Sequence, residues 1–202
     1  MSSPDACCAV HEVPRHQRRV LAIVLVINVV MFGAEAVAGV LAHSTALLAD
    51  SVDMLGDAIV YGFSLYVIRR GAVWQARAAM LKGVVMAVFG VGVLAQVIWK
   101  LVAGVGPDAG IMTAVGFVAL AANVVCLALL SPRRADDINM RSAWLCSRND
   151  VIGNVGVLIA AGAVAATGSP WPDLVIGVAV AALFLRSAIR VVTDASHAMA
   201  RA

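Results

Sequence analysis

Charged residues are scarce in this sequence. Asp, Glu, Lys and Arg together make up 13% of its 202 residues, whereas 62% are hydrophobic. A soluble domain carries about a quarter charged residues and about half apolar ones, so this composition, with a mean hydropathy of +0.93, excludes a soluble domain. The small net charge of +3 gives no sign of a nucleic-acid partner. The sequence predicts an integral membrane protein in contact with lipid.

Patterns for enzymatic chemistry are absent as well. The sequence contains no HExxH metal-hydrolase motif and no set of Ser, His and Asp placed for nucleophilic catalysis. We therefore expect no enzyme and no prosthetic group. No cleavable signal peptide is visible, because the first residues are polar and the first apolar run is long enough to span a membrane.

Long apolar runs dominate the chain instead. A hydrocarbon core of about 30 Å takes roughly 20 helical residues. Six runs have about this length, and they cover residues 20–41, 46–68, 78–103, 111–130, 142–166 and 174–192. Connections containing Gly and Pro separate them, and Asp108 and Asp173 stand where each would cap the helix that follows. The predicted fold is all-α, a bundle of six transmembrane helices.

Lys and Arg residues lie mostly on one side of these spans. The N-terminal segment, the second and fourth connections and the C-terminal tail hold nearly all of them, whereas the other connections hold almost none beyond Lys100. The positive-inside rule therefore places both termini in the cytoplasm. We expect residues 20–193 to form one membrane domain between cytoplasmic tails at 1–19 and 194–202. This bias fits a bacterial inner membrane, with an organelle membrane as the alternative.

The second span contains three acids, Asp50, Asp53 and Asp57. An ionisable residue at membrane depth costs roughly 2.5–3.5 kcal/mol on insertion scales, and it usually faces a protein interior or a water path. The spacing places the three acids on one stripe of a helix, with Asp53 and Asp57 close enough to share one ion. Protonation, a basic partner or a bound cation would relieve their repulsion.

The fifth span contains a matching pair, Cys146 and Asp150, again four residues apart. Two helices thus each offer two ligand-type side chains, and four ligands suit a tetrahedral divalent ion such as Zn²⁺. Arg148 lies between them in sequence. Its side chain either extends to the cytoplasmic interface or approaches the carboxylates, where it would weaken cation binding.

Several segments together resemble the cation diffusion facilitator family. They are NVVMFGAEAVAGVLAHSTALLADSVDMLGD (28–57), NMRSAWLCSRNDVIGNVGVLIAA (139–161) and WPDLVIGVAVAALFLRSAIRVV (171–192). The resemblance implies a six-helix transport domain, usually a homodimer, that exports divalent metals from the cytoplasm in exchange for protons by alternating access. It implies a midmembrane metal site on helices two and five. By position, the ligands are Asp53, Asp57, Cys146 and Asp150.

Three further polar residues accompany this predicted site. Asp50 aligns with a family acid beside the metal, Glu35 lies in the first span, and Asn154 follows Asp150 by four residues. We expect these three residues to support the ligands or to relay protons.

The metal preference depends on the ligand types at the predicted site. Family members that carry zinc commonly have His at one or both of the positions occupied here by Asp53 and Cys146. A thiolate favours Zn²⁺ and Cd²⁺, whereas three carboxylates also suit Mn²⁺, Fe²⁺ or Co²⁺. We favour Zn²⁺ or Cd²⁺. A Mn/Fe/Co exporter and a membrane protein that binds or senses metal without transporting it remain as alternatives.

The negative charge of such a ligand set favours the binding of protons. Three carboxylates and a thiolate carry four negative charges, and a divalent ion neutralises only two of them. We therefore expect some ligands to be protonated when metal is absent. Metal binding would release those protons.

The two ends of the chain are relevant to metal capture and to dimer formation in the predicted transporter. Cys7, Cys8 and His11 form a possible metal-capture segment, or else a flexible tail with incidental thiols. Many family members continue into a cytoplasmic metal-binding domain of about ninety residues after the sixth helix, and this chain is expected to lack it. Dimer contacts would then come from the helices or from a partner. In span three, Gly83, Gly90 and Gly92 would permit either such a contact or a close crossing within one chain.

Overall fold

Six long helices form the computed structural model, which describes residues 15–66, 72–135 and 138–200. They are α1 (Arg15–Leu41), α2 (Thr45–Tyr66), α3 (Ala72–Ala103), α4 (Ala109–Leu130), α5 (Ile138–Thr167) and α6 (Trp171–Ala200). A short 3₁₀ turn, Ser131–Arg133, follows α4. The described ranges contain no strand. Lipid hydrocarbon offers no hydrogen-bond partners, and a helix pairs its backbone N–H and C=O groups within itself.

Five of these helices, all except α2, are long and apolar enough to cross a membrane. Helix α2 has 22 residues, which is also sufficient to cross a hydrocarbon core, but it carries the three Asp residues. The predicted all-α membrane fold is confirmed. The number of spans and the cytoplasmic location of both termini stay predictions.

Helices α3, α5 and α6 extend beyond the predicted spans. Helix α3 begins at Ala72 and α5 at Ile138, and α6 continues to Ala200. Hydropathy locates only the segment that lies in hydrocarbon, whereas the backbone hydrogen bonds of a helix continue into polar sequence. With 32 residues, α3 is roughly 48 Å long, which exceeds the thickness of the hydrocarbon core.

Helix ends at the short connections are capped in two ways, by glycine at C-termini and by Asp at N-termini. Gly104 and Gly168 follow α3 and α5 with φ values of +67° and +64°, the left-handed conformation that glycine adopts without strain. Asp108 caps α4 as predicted, because its carboxylate accepts hydrogen bonds from the backbone of Gly110 and Ile111 at 2.8 and 3.0 Å. The cap prediction for Asp173 is wrong: α6 already begins at Trp171, and Asp173 caps α2 instead.

The helices pack most extensively in three pairs, α1 with α2, α4 with α5 and α3 with α6. We call the end of the bundle that carries the α1–α2, α3–α4 and α5–α6 connections the loop face, and the opposite end the terminal face. The pair α3 and α6 approach each other at Gly83 and Gly90, where an added Cβ would lie 2.6 Å from Val192 Cγ2 and 3.0 Å from Leu185 Cγ. These two glycines therefore serve a contact within the chain. A homodimer stays a prediction.

A buried ion pair joins three helices at the loop face. Lys100 at the end of α3 and Asp173 at the start of α6 lie 2.9 Å apart, with both side chains 0% exposed. The same carboxylate accepts hydrogen bonds from the backbone N–H groups of Thr45 and Ala46 at 2.8 and 3.0 Å. It also accepts from the hydroxyls of Ser44 and Thr45, both at 2.6 Å. Asp173 thus has five donors on two neighbouring helices.

This network fixes the start of α2. Ser44 caps the helix through the backbone N–H of Leu47 at 3.1 Å, and Asp173 takes the two preceding N–H groups. An anion at a helix N-terminus is also stabilised by the helix dipole. Gly177, one turn after Asp173, permits the close approach, since an added Cβ would lie 2.8 Å from Thr45 Cβ.

We predict that the two partners of the ion pair contribute unequally to stability. Asp173→Asn leaves the buried Lys100 ammonium without a negative partner and should cost about 3–5 kcal/mol. Lys100→Met leaves the carboxylate with its four donors on residues 44–46 and should cost about 1–3 kcal/mol. The melting temperature in detergent should therefore fall further for Asp173→Asn. The double variant should melt above Asp173→Asn alone. Equal melting temperatures of the two single variants would contradict this assignment.

Candidate metal centre

The predicted site lies in a polar layer between two apolar clusters. The terminal cluster, near the terminal face, comprises Val20, Leu21, Val24, Tyr61, Cys126, Leu130, Met140 and Ala143. The loop cluster, near the loop face, comprises Ala38, Ala42, Ala46, Leu47, Met112, Val157, Ala160 and Ala161. Both clusters are built from α1, α2, α4 and α5. The polar side chains between them are therefore held among the same four helices.

Helices α2 and α5 bring their acids together in this layer. Asp57 and Asp150 are buried, and Asp53 is partly buried. The carboxyl groups of Asp53 and Asp150 lie within hydrogen-bonding reach of each other, and Asp57 and Asp50 lie within electrostatic range of Asp150. These are acids that the sequence analysis assigned to one metal site, and their binding of metal stays a prediction.

The close approach of two carboxyl groups has a chemical consequence. Carboxylates accept hydrogen bonds only, so a pair of them needs a proton or a cation between their oxygens. In the parts of the chain that the structure describes, no three acidic, Cys or His side chains converge as ligands of one ion. The acids of α2 and α5 therefore approach each other as a pair, Asp53 with Asp150.

Cys146 lies one helical turn before Asp150 on α5 and is 8% exposed. It is disulfide-bonded in this structure, and a disulfide sulfur is not the thiolate that binds metal. Coordination by Cys146 therefore requires the reduced chain.

Arg148 lies on the outside of α5, away from the acids. Its side chain is exposed, its guanidinium lies 5.5 Å from the centroid of the Trp144 ring, and it donates to Asn149 Oδ1 at 3.4 Å. The alternative in which Arg148 approaches the carboxylates is excluded in this structure.

The three predicted supporting residues are all buried, with different surroundings. Glu35 lies within electrostatic range of Asp50 and Asp53, and both of its carboxyl oxygens lack a hydrogen-bond partner, as does Asp50 Oδ2. Asn154 donates to the backbone carbonyl of Asp150 at 2.9 Å. It therefore bonds the helix that carries the acid and not the carboxyl group itself. The possible capture residues Cys7, Cys8 and His11 lie outside the described residues.

Tyr61 is a site residue that the sequence reasoning missed. Its hydroxyl donates to Asp57 Oδ2 at 2.8 Å. The signal available in the sequence was spacing, since Tyr61 follows Asp57 by four residues and so shares its face of α2. Cys126 on α4 packs with Tyr61 in the terminal cluster, and it also lies within electrostatic range of Asp57.

Comparison with protein families supports the same region. A family model described as the cation efflux transmembrane domain matches residues 21–199. This range includes every residue of the candidate centre, all of α2 to α5 and most of α1 and α6. The chain belongs to the cation efflux family. This confirms the resemblance noted in the sequence, and the family consists of transporters and not of enzymes.

Curated relatives of this family member are bacterial proteins. The chain is 30% identical over 173 residues to the zinc transporter ZitB of Escherichia coli, a match that covers 79% of the chain and 55% of ZitB. It is 27% identical over 184 residues to the cadmium, cobalt and zinc/H(+)-K(+) antiporter of Bacillus velezensis, covering 82% of the chain and 57% of that protein.

A third relative is the metal cation efflux system protein CzcD of Cupriavidus metallidurans. It is 26% identical over 180 residues, covering 83% of the chain and 57% of CzcD. The chain thus spans just over half the length of these relatives. The apolar helices, the family match and the bacterial relatives confirm the predicted integral protein of a bacterial inner membrane.

The position of Arg148 gives a test of the site. Arg148→Ala should leave the Zn²⁺ dissociation constant within about twofold of the unmodified protein, because the guanidinium stacks on Trp144 outside the acidic layer. Asp150→Asn should weaken binding at least about tenfold. Isothermal titration calorimetry of the reduced protein in detergent measures both. Tighter binding by Arg148→Ala would contradict the assignment, because it would mean that the guanidinium repels the ion.

Proposed function

We propose that this chain exports divalent metal cations from the cytoplasm in exchange for protons. The cations are Zn²⁺ or Cd²⁺, and the ligands are Asp53, Asp57, Cys146 and Asp150. The observation that carries the proposal is the direct contact of Asp53 on α2 with Asp150 on α5. Such a contact between two helices places carboxyl groups where one ion can bind both. The names of the relatives describe transporters of zinc, cadmium and cobalt.

Unpartnered oxygens in the helix bundle support a cation as the cargo. Among the residues that the structure describes, the buried side-chain atoms without a hydrogen-bond partner are all oxygens, and they belong to Asn28, Glu35, Asp50, Gln96, Asn123 and Asn154. An oxygen that lacks a donor binds a cation, a proton or a water molecule. An anion or an acceptor-rich organic molecule would find few donors here. This surplus of acceptors therefore favours a metal cation over an organic molecule as the cargo.

Exchange for protons follows from the chemistry of the acids. Asp53 and Asp150 lie close enough together for a proton or a metal ion to bridge them, and carboxylate ligands bind metal after losing their protons. Asp50, Glu35 and Asn154 lie toward the loop face from this pair, and we propose that the two acids relay the protons. Alternating access would expose the centre to each side of the membrane in turn.

The choice of metal depends on Cys146. In its reduced form it would add a soft ligand to three carboxylates, which favours Zn²⁺ and Cd²⁺ over harder ions. A possible capture role for Cys7, Cys8 and His11, and assembly as a homodimer, belong to the same proposal. The alternatives are a Mn/Fe/Co exporter and a metal-binding or sensing protein that does not transport.

Metal flux into proteoliposomes under an imposed pH gradient tests the proposal. We expect Zn²⁺ or Cd²⁺ flux that depends on the gradient and falls at least about a hundredfold in Asp57→Asn, because the variant loses an anionic ligand. The matched control is Asp108→Asn, which changes an acid that caps α4 outside the polar layer and should keep most of the flux. Flux that ignores the gradient would overturn proton exchange. Metal binding without any flux would favour the sensing protein.

A second variant tests the soft ligand. Cys146→Ser should reduce Cd²⁺ flux about tenfold or more and reduce Mn²⁺ flux little, because a hydroxyl replaces the thiolate. The measurement is the ratio of the two fluxes under reducing conditions. An unchanged ratio in Cys146→Ser would remove Cys146 from the ligand set.

A further inference from the structure

The hydroxyl of Tyr61 is bound to one particular oxygen of a proposed metal ligand. Tyr61 is 1% exposed, and its hydroxyl donates to Asp57 Oδ2 at 2.8 Å. The next acceptor, the backbone carbonyl of Ala143 on α5, is 3.4 Å away. A hydroxyl has one proton to donate, so the shorter bond to Asp57 is the principal one.

The ring of Tyr61 cannot easily withdraw from this bond. It is packed in the terminal cluster against apolar residues of α1, α4 and α5, among them Leu21, Leu130 and Met140. A buried tyrosine hydroxyl that loses its partner is costly, since no water replaces the acceptor. The packed ring therefore holds the hydroxyl, and the hydroxyl holds Asp57 Oδ2.

This hydrogen bond affects how Asp57 can bind an ion. Binding through Oδ1 alone leaves the bond from Tyr61 intact, whereas bidentate binding through both oxygens competes with it at Oδ2. Single-oxygen binding suits the four-coordinate geometry of Zn²⁺. Mn²⁺ favours six oxygen ligands, and in a site with few side chains a bidentate carboxylate helps to reach that number.

We infer that Tyr61 is a specificity-determining positioning residue, whose hydroxyl restricts Asp57 to binding through one oxygen and so favours four-coordinate Zn²⁺ over six-coordinate Mn²⁺. The inference rests on the proposed function, because it assumes that Asp57 is a ligand. It adds a feature that the four ligands alone do not supply. Three carboxylates without this restraint would accept either ion.

Tyr61→Phe tests the inference, because it removes the hydroxyl and keeps the packed ring. Zn²⁺ and Mn²⁺ dissociation constants are measured by isothermal titration calorimetry of the reduced protein. The Zn²⁺ constant should rise about tenfold, the lower range for loss of a hydrogen bond to a metal ligand, and the Mn²⁺ constant should stay within about twofold or fall. Tyr66→Phe, which changes the last residue of α2, is the control and should leave both constants unchanged.

Cobalt provides a second measurement that does not depend on affinity. Four-coordinate Co²⁺ absorbs visible light far more strongly than six-coordinate Co²⁺, so the spectrum of the saturated protein reports the coordination number. The unmodified protein and Tyr66→Phe should give the strong spectrum. Tyr61→Phe should give a weaker one as Asp57 becomes free to bind through both oxygens.

Each outcome has a defined meaning. A parallel loss of affinity for Zn²⁺ and Mn²⁺ with an unchanged cobalt spectrum would overturn the inference, because Tyr61 would then only support the fold. Constants equal to those of the unmodified protein would overturn it as well, and both results would leave the proposed function standing. If the unmodified protein binds no divalent metal, or if Asp57→Asn binds Zn²⁺ as the unmodified protein does, the proposed site fails and the inference fails with it.

Discussion

The carboxylate of Asp173 is the contact on which the arrangement of the bundle depends. A charge without access to water is costly unless donors surround it, and Asp173 has five, from Lys100 and from residues 44–46. Because these donors include the first N–H groups of α2, the carboxylate fixes where α2 begins relative to α6. The depth of every later residue of α2, including Asp53 and Asp57, follows from that starting point.

Two kinds of buried acid thus occur in one small protein. Asp173 has a full set of donors and stabilises the fold. Glu35 and Asp50, by contrast, retain carboxyl oxygens without any donor, and a fold that needed only stability would have replaced them with apolar side chains. A buried carboxylate with a full set of hydrogen-bond donors therefore stabilises the fold. A buried carboxyl group without donors is suited to bind a cation or a proton.

The sequence predicted those features that depend on local spacing. Hydropathy located the helices, and the four-residue interval paired Asp53 with Asp57 on one face of α2. The sequence could not predict contacts between distant helices, such as that of Asp173 with Thr45. An Asp near the start of a helix indicates a cap, but its position in the sequence does not identify the helix whose N–H groups it binds. Spacing also did not decide whether Gly83 contacts its own chain or a second copy, or which way the Arg148 side chain extends. Both depend on which helix or solvent lies beside that surface, and packing determines this. Tyr61 was missed because an aromatic residue in an apolar run reads as packing.

The terminal cluster and the loop cluster have a consequence for energy conservation. A bacterial inner membrane stores energy as a difference in proton concentration and voltage, and a row of acids open to water on both sides would let protons leak and discharge it. Here an apolar cluster lies on each side of the acidic layer. The acidic layer is therefore a small polar compartment that apolar side chains separate from both faces of the bundle. Such a compartment opposes the passive flow of protons through the bundle and so protects the gradient that the membrane stores.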